Sequence, residues 1–259
     1  MSQRLVLIIV AAVVGAMLLG GCSDSSTSTD PQPTARIRVI HASPDFGTVD
    51  VYLGNATTPW LKDLEYLQTG TYLTINSPAT VTLAFRRAGD PVDATPLLTS
   101  DELSMSSGSS TSAVVGGLAG SNVAADELRL LTYTDTWLAH DTGKTRVRVI
   151  HAGANAGDLT VVAAGGLELA TDLPRFEASV QGGELYPAAV SLENVIYVNG
   201  LAIASFAMPA LDEDKDYYFV ITGLISSVGA DAFTLLPVGP GGSLALETPS
   251  QRTLPPAIR

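Results

Sequence analysis

The sequence predicts an all-β protein built as two tandem immunoglobulin-like β-sandwich domains, set behind a signal peptide and a flexible tether. Three observations carry that expectation. Arg36-Ile37-Arg38-Val39-Ile40-His41-Ala42 returns as Arg146-Val147-Arg148-Val149-Ile150-His151-Ala152. The match runs without a gap into the next segment, where Gly47 meets Gly157, Val49 meets Leu159 and Val51 meets Val161. Third, short alternating apolar runs recur between Gly, Pro, Asp and Ser clusters, the spacing of a sandwich. A repeat of this length is a copied domain, far above the 20–50-residue period of a solenoid.

Composition agrees. Only 15% of the residues are charged, and the Val, Ile, Thr and Gly content suits strands and tight turns. The net charge of −12, with 14 Lys and Arg in all, argues against nucleic acid, whose phosphates need clustered cations. The acidic surface itself mainly serves solubility. Cys22 is the single cysteine, so no intramolecular disulfide forms, and each repeat relies on its own core.

Residues 1–22 read as an export signal. Arg4 precedes an uncharged apolar run from Leu5 to Leu19, shorter than the ~20 residues of a stable span. Leu19-Gly20-Gly21-Cys22 resembles the bacterial lipobox, which implies lipidation at Cys22 and attachment to a membrane through acyl chains. An uncleaved anchor with an idle thiol is the other reading. Residues 23–35, rich in Ser, Thr, Asp and Pro, form a disordered tether. Ser23 stands where Asp favours inner-membrane retention in such lipoproteins, so the resemblance points to the outer membrane, at its periplasmic face or the cell surface.

The first domain is expected over 36–136. Alternation makes Arg36–His41 a strand, with Ile37, Val39 and His41 on one face and Arg36, Arg38 and Ile40 on the other. Ser43-Pro44-Asp45 is turn chemistry, and Thr48–Leu53 is the expected partner strand. Further strands are predicted at Thr71–Ile75, Ala79–Arg86, Leu97–Leu103, Ser112–Val115 and Leu128–Tyr133. The second domain, 145–238, repeats the plan with Arg146–His151, Leu159–Ala163, Glu177–Val180, Ala188–Val198, Ala202–Ala207, Tyr217–Thr222 and Phe233–Leu236. Val114-Val115-Gly116-Gly117-Leu118 matches Val220-Ile221-Thr222-Gly223-Leu224. The connection from Trp137 to Lys144 is short, so the two units should sit close together. Residues 239–259 are expected to be a loosely held tail.

Arg36 to Asp45 followed by Val49-Asp50-Val51-Tyr52 closely resembles the opening signature of the DUF4397 family, a domain of unknown function of bacterial secreted and lipid-anchored proteins, often in tandem. The resemblance spans both repeats and is sharpest over residues 36–53. It implies a β-rich extracytoplasmic domain and brings no established chemistry. The second repeat departs from it at Gly153-Ala154-Asn155 and at Thr160, so an activity of the Ser-Pro-Asp turn would be lost there.

Chemistry-bearing residues are few. His41 and His151 are equivalent and end their strands on the apolar face. The favoured reading is a buried imidazole fixing the following turn, against a ligand or general base. His140, in the connection, is expected to be exposed. There is no Gly-x-Ser-x-Gly elbow, Walker loop or paired-acid set, so no catalytic residue, cofactor or metal is expected and the protein reads as a non-enzyme. The one weak metal candidate is a calcium loop at Asp212, Asp214 and Asp216, opposed by Lys215 and lacking the Gly and Glu of such a loop. Arg38 and Asp50 could pair across a hairpin. Trp60, Tyr66 and Tyr72 are either core or a surface for glycan or protein. The expected function is a non-catalytic binding or adhesion module for protein or polysaccharide, with a structural spacer as the alternative and a hydrolase a distant third.

Overall fold

A computed structural model describes residues 32–225, 227 and 231–246. The signal peptide and Cys22 lie outside the described residues, as do most of the tether and residues 247–259. The described residues from Pro33 to Leu246 belong to one compact unit and are all-β, as expected.

Each half is a sandwich of two sheets. In the first half, β1 (Thr34–His41), β2 (Val49–Leu53), β3 (Leu61–Leu64), β4 (Leu73–Asn76), β5 (Ala79–Val81) and β6 (Leu83–Arg87) come first. They are followed by β7 (Leu98–Thr99), β8 (Leu103–Met105), β9 (Ser110–Gly116) and β10 (Arg129–Thr134). One sheet has the order β10-β9-β1-β4, the other β3-β2-β6-β7, and β5 pairs with β8. The second half contains β11 (Lys144–His151), β12 (Leu159–Ala163), β13 (Leu167–Leu173), β14 (Glu184–Pro187) and β15 (Leu192–Val198). Then come β16 (Leu201–Met208), β17 (Asp216–Thr222), β18 (Thr234–Gly239) and β19 (Gly242–Ser243). Its sheets run β14-β11-β17-β18-β19 and β13-β12-β15-β16. The order is that of the first half, with one strand added after β18.

At the centre of each half is a parallel pair, β1 with β9 and β11 with β17. An immunoglobulin sandwich has antiparallel sheets, so the resemblance to that type stops at the two-layer architecture. The parallel pair also corrects the expected β1–β2 hairpin. The Ser-Pro-Asp turn carries the chain from one sheet to the other, and β1 pairs instead with β4 and β9.

Three apolar clusters explain why both faces of β1 are buried. Ile37, Val39, Val49, Val51, Phe85 and Val115 join the two sheets of the first half, and Val147, Val149, Leu159, Ile196 and Phe219 do the same in the second. The third cluster lies between the halves, where Ile40, Ala42 and Val114 meet Ile150, Ala152, Tyr218 and Val220. The face expected to point outward is thus a seam. It is matched on both sides: the Thr222 hydroxyl donates to the Ala42 carbonyl, and a Cβ on Gly116, the residue equivalent to Thr222, would lie 3.2 Å from the Ala152 Cβ. Small residues at these positions let the backbones approach.

Other expectations shift for local reasons. Leu61–Leu64 and Leu167–Leu173 are strands that alternation did not reveal, because positive-φ aspartates, Asp63 and Asp172, interrupt their ladders. Glu177–Val180 is not a strand; Ala178 makes an isolated bridge to Ile150, and β14 begins at Glu184. The run Ala79–Arg86 divides into β5 and β6, which join different sheets. Within the expected tail, Gly242–Ser243 pairs with β18, while Leu244 and Leu246 pack on the second core.

Candidate functional site

The histidines are turn locks. His41 is fully buried; its Nδ1 accepts from the Ser43 N–H at 3.4 Å, which leaves Nε2 to donate to the Gly47 carbonyl at 2.8 Å. His151 repeats the arrangement with the Gly153 N–H at 3.2 Å and the Gly157 carbonyl at 3.0 Å. Burial lowers the pKa of His41 and takes His151 down to about 4, since neither imidazole can be charged without losing the bond at Nδ1. Both nitrogens are engaged, so neither ring offers a lone pair for a metal or a proton. His140 instead reaches Asp216 at 2.9 Å, tying the connection to β17.

The Ser-Pro-Asp turn is a clamp. The Asp45 carboxylate accepts the Ala119 and Gly120 N–H groups at 2.8 and 2.9 Å, holding the β9–β10 loop. In the second half Asn155 does the same job through one oxygen, taking the Ile225 N–H at 3.0 Å. The second departure from the signature has an equivalent explanation. Asp50 is buried and accepts the N–H of positive-φ Asp63 at 2.8 Å and that of Gly89 at 3.3 Å. Thr160 accepts the N–H of Asp172 at 3.2 Å. Both substitutions conserve the backbone contact and lose charge.

Arg38 and Asp50 therefore do not pair. They belong to different sheets, and the Arg38 side chain is buried in the seam, donating to Ser112 Oγ at 2.8 Å and to the Gly239 carbonyl at 2.7 Å. Its guanidinium lies over the Tyr72 ring at 4.5 Å. Asp135 completes the network: Tyr72 and Ser112 donate to one oxygen at 2.6 and 3.2 Å, and Tyr218 donates to the other at 2.7 Å. Burial pushes the Tyr72 and Tyr218 phenols well above their ordinary value, so both remain donors. A small cleft of about 130 Å³ opens here between Arg36, Trp137 and Asp216.

Tyr72 is thus part of the seam, Tyr66 packs edge-on to His41 at 6.2 Å, and Trp60 packs on the first core. All three are half-buried, so the aromatic surface considered from the sequence is not displayed. Asp212 and Asp214 are exposed and Asp216 faces His140. Among the described residues no three His, Cys, Asp or Glu side chains gather as a metal site.

The larger opening is a groove of about 450 Å³ at the Asp45 end of the first half. Its lining is mixed: Phe46, Leu97, Leu98, Leu118 and Leu128 supply apolar side chains, and Asp45, Ser121, Arg87 and Glu127 supply polar and charged ones. Arg87 and Glu127 are exposed, and Leu97 is 45% exposed. The strand registers place Ala156, Val198, Ala204 and Ala232 at the positions of Phe46, Arg87, Leu98 and Glu127. The groove's charge belongs to the first half alone. Sequence reading missed it because its residues come from four separate segments.

Fold and site together define an all-β protein with a groove of mixed apolar and charged lining. Residues 35–162 match the model of the DUF4397 family, described as a domain of unknown function. The match supports placing this stretch, the first half with β11 and β12, in that family. No curated protein matches the chain. Among solved structures, a candidate adhesin from Bacteroides ovatus is 8% identical, with 80% of this chain and 92% of that one covered and a TM-score of 0.16. A likeness at that score carries no argument.

Proposed function

We propose that the protein is a non-catalytic binding module of the bacterial cell envelope, anchored through a lipid on Cys22, with two DUF4397-like domains of which the first presents the binding surface. The observation that supports this is the groove. It sets exposed Leu97 and the half-buried Leu98, Leu118 and Leu128 beside charges of both signs, Arg87 and Glu127, a mixture found at recognition surfaces. The second half keeps the fold, the histidine lock and the clamp and replaces the rim charges with Val198 and Ala232. What the halves share is structural, and what the first adds is the groove.

The seam favours a second reading, a structural spacer, because a matched apolar face and the Asp135 network join the halves in one unit. One experiment separates the two. The full chain, displayed on cells, is offered panels of envelope polysaccharides and of peptides, beside the double variant Leu97→Asp with Arg87→Glu. Binding that the variant loses supports the module. No binding from either panel leaves the spacer. Protease treatment of intact cells, with Cys22→Ala as the unanchored control, tests the anchor and the exposed face together.

A further inference from the structure

The second half shows what the open side of the first half lacks. β18 is extended by β19, and beyond it the Leu244 N–H donates to the Pro237 carbonyl at 2.8 Å. This strap carries Leu244 and Leu246 onto the second core. In the first half the strand equivalent to β18 is β10, which among the described residues pairs with β9 alone and ends its sheet; the Thr134 carbonyl at its end is taken by the Thr136 N–H and by Arg148, which leaves the edge open around Leu130 and Thr132. The registers put Thr132 at the position of Pro237. No strap follows β10: the Asp135 N–H still donates to the Ser110 carbonyl of β9, and the chain then runs into the seam, where Trp137 bridges to Gly182. The β6–β7 side is open as well. The ladder of β7 covers Ala84 and Phe85, with Ser100 bonded on to Leu83, and stops short of Arg87, whereas β16 follows β15 to its end, up to Val198 with Leu201.

We infer that this open side takes an extended polypeptide strand from a partner protein, laid along the free edge of β10 with apolar side chains at alternate positions entering the groove. The inference rests on the groove being a binding surface. Strand addition supplies backbone hydrogen bonds, and alternate side chains supply selectivity. Period-two spacing is what the strap itself has at Leu244 and Leu246, and Leu97, Leu98 and Leu128 form the lining such residues would meet. Arg87 and Glu127 select a segment with an acidic residue towards β6 and a basic one towards the β9–β10 loop. A polysaccharide fits less well. Sugars stack on exposed aromatic faces, and the single aromatic residue of the lining, Phe46, is 7% exposed.

The test uses the full chain in detergent and a fluorescent peptide that carries the strap's sequence, residues 240–246, flanked by an acidic residue at one end and a basic one at the other, in both orders. The expected result is saturable binding, weakened at least tenfold by Leu97→Asp and unchanged by Leu201→Ser on the far half. Amide exchange at Leu130 and Thr132 should slow when the peptide is bound. Failure of the peptide to bind, or binding that leaves β10 exchange unchanged, overturns the inference. If polysaccharide binds at the groove instead, strand addition falls and the binding reading stands. If neither binds, both fall. Concentration-dependent self-association that protects β10 without peptide would make the occupant a second copy, which also overturns a partner strand.

Discussion

Removing the Asp135 carboxylate should loosen the join between the halves more than any other single truncation at the seam. Asp135 is the common acceptor for Tyr72 and Ser112 of the first half and Tyr218 of the second, at 2.6, 3.2 and 2.7 Å. A hydrogen bond to a charged group is worth about 1.5–3 kcal/mol, and Tyr218 is fully buried, so its hydroxyl has little access to water. Two such bonds set the cost of Asp135→Ala at about 3–4 kcal/mol, after allowing water to reach the half-exposed carboxylate site. For a chain of this size that is a fall of roughly 6–16 °C in Tm. Tyr218→Phe should cost about 1–2 kcal/mol, and the double variant should show a coupling of about 1 kcal/mol or more. Urea denaturation of the four proteins gives the cycle. A cost for Asp135→Ala below about 1 kcal/mol, or additive singles, would refute the claim that this carboxylate ties the halves together.

The remaining expectations concern shared structure. Below pH 6.5 an unfolded His151 takes up a proton that the folded residue, with its pKa lowered to about 4, refuses. Stability should therefore fall as pH drops from 6.5 to 4, by about 3 kcal/mol from this residue; urea midpoints across that range that stay flat would contradict it. Asp50→Thr should cost under about 1 kcal/mol, since Thr160 serves the equivalent N–H, whereas Asp50→Val should cost about 1–2 kcal/mol by removing the acceptor of two part-buried N–H groups, read by thermal melts. Asp45→Asn should likewise be milder than Asp45→Ala, with proteolysis of the 118–128 loop as the readout. Gly117→Ala should cost about 3 kcal/mol, because Gly117 has φ +84° and a Cβ would lie 2.3 Å from the Glu127 carbonyl oxygen.

Much of the fold was legible because strands that face a core alternate: β12 and most of β11 do so in burial, and β1 and β2 do so in sequence at Ile37 and Val39 and at Val49, Val51 and Leu53. The histidine lock was legible too: a polar residue at the end of an apolar face needs partners, and the following turn supplies them. Sheet membership was not. Alternation says which residues share a face of a strand but not which strand lies beside it, so the Ser-Pro-Asp turn read as a hairpin when it crosses between sheets. From that one error came the false Arg38–Asp50 pair. The seam was also hidden, because Arg36, Arg38 and Ile40 read as a mixed, outward face. A buried arginine served by a serine, a carbonyl and a tyrosine ring has no sequence signature. The groove needed four segments brought together, and nothing in their spacing announces it.

The repeat nonetheless separates structure from recognition in a way a single domain would not. Where both halves retain a contact with different residues, as Asp45 with Asn155 and Asp50 with Thr160, the contact is what the fold requires and the residue is free to change. Gly117 and Gly223 share a positive φ and the same close carbonyl, so there the residue itself is required. Arg87, Glu127 and Leu97 fall in neither group. Their side chains are exposed and have no charged or leucine counterpart mapped in the second half, where Val198 and Ala232 stand for Arg87 and Glu127, and they line a groove that Leu128, just before β10, also lines. A domain that only needed to be stable could have covered the β10 edge with apolar chain, as its neighbour does. That the first half leaves it open and charged is the strongest structural argument that the opening is used.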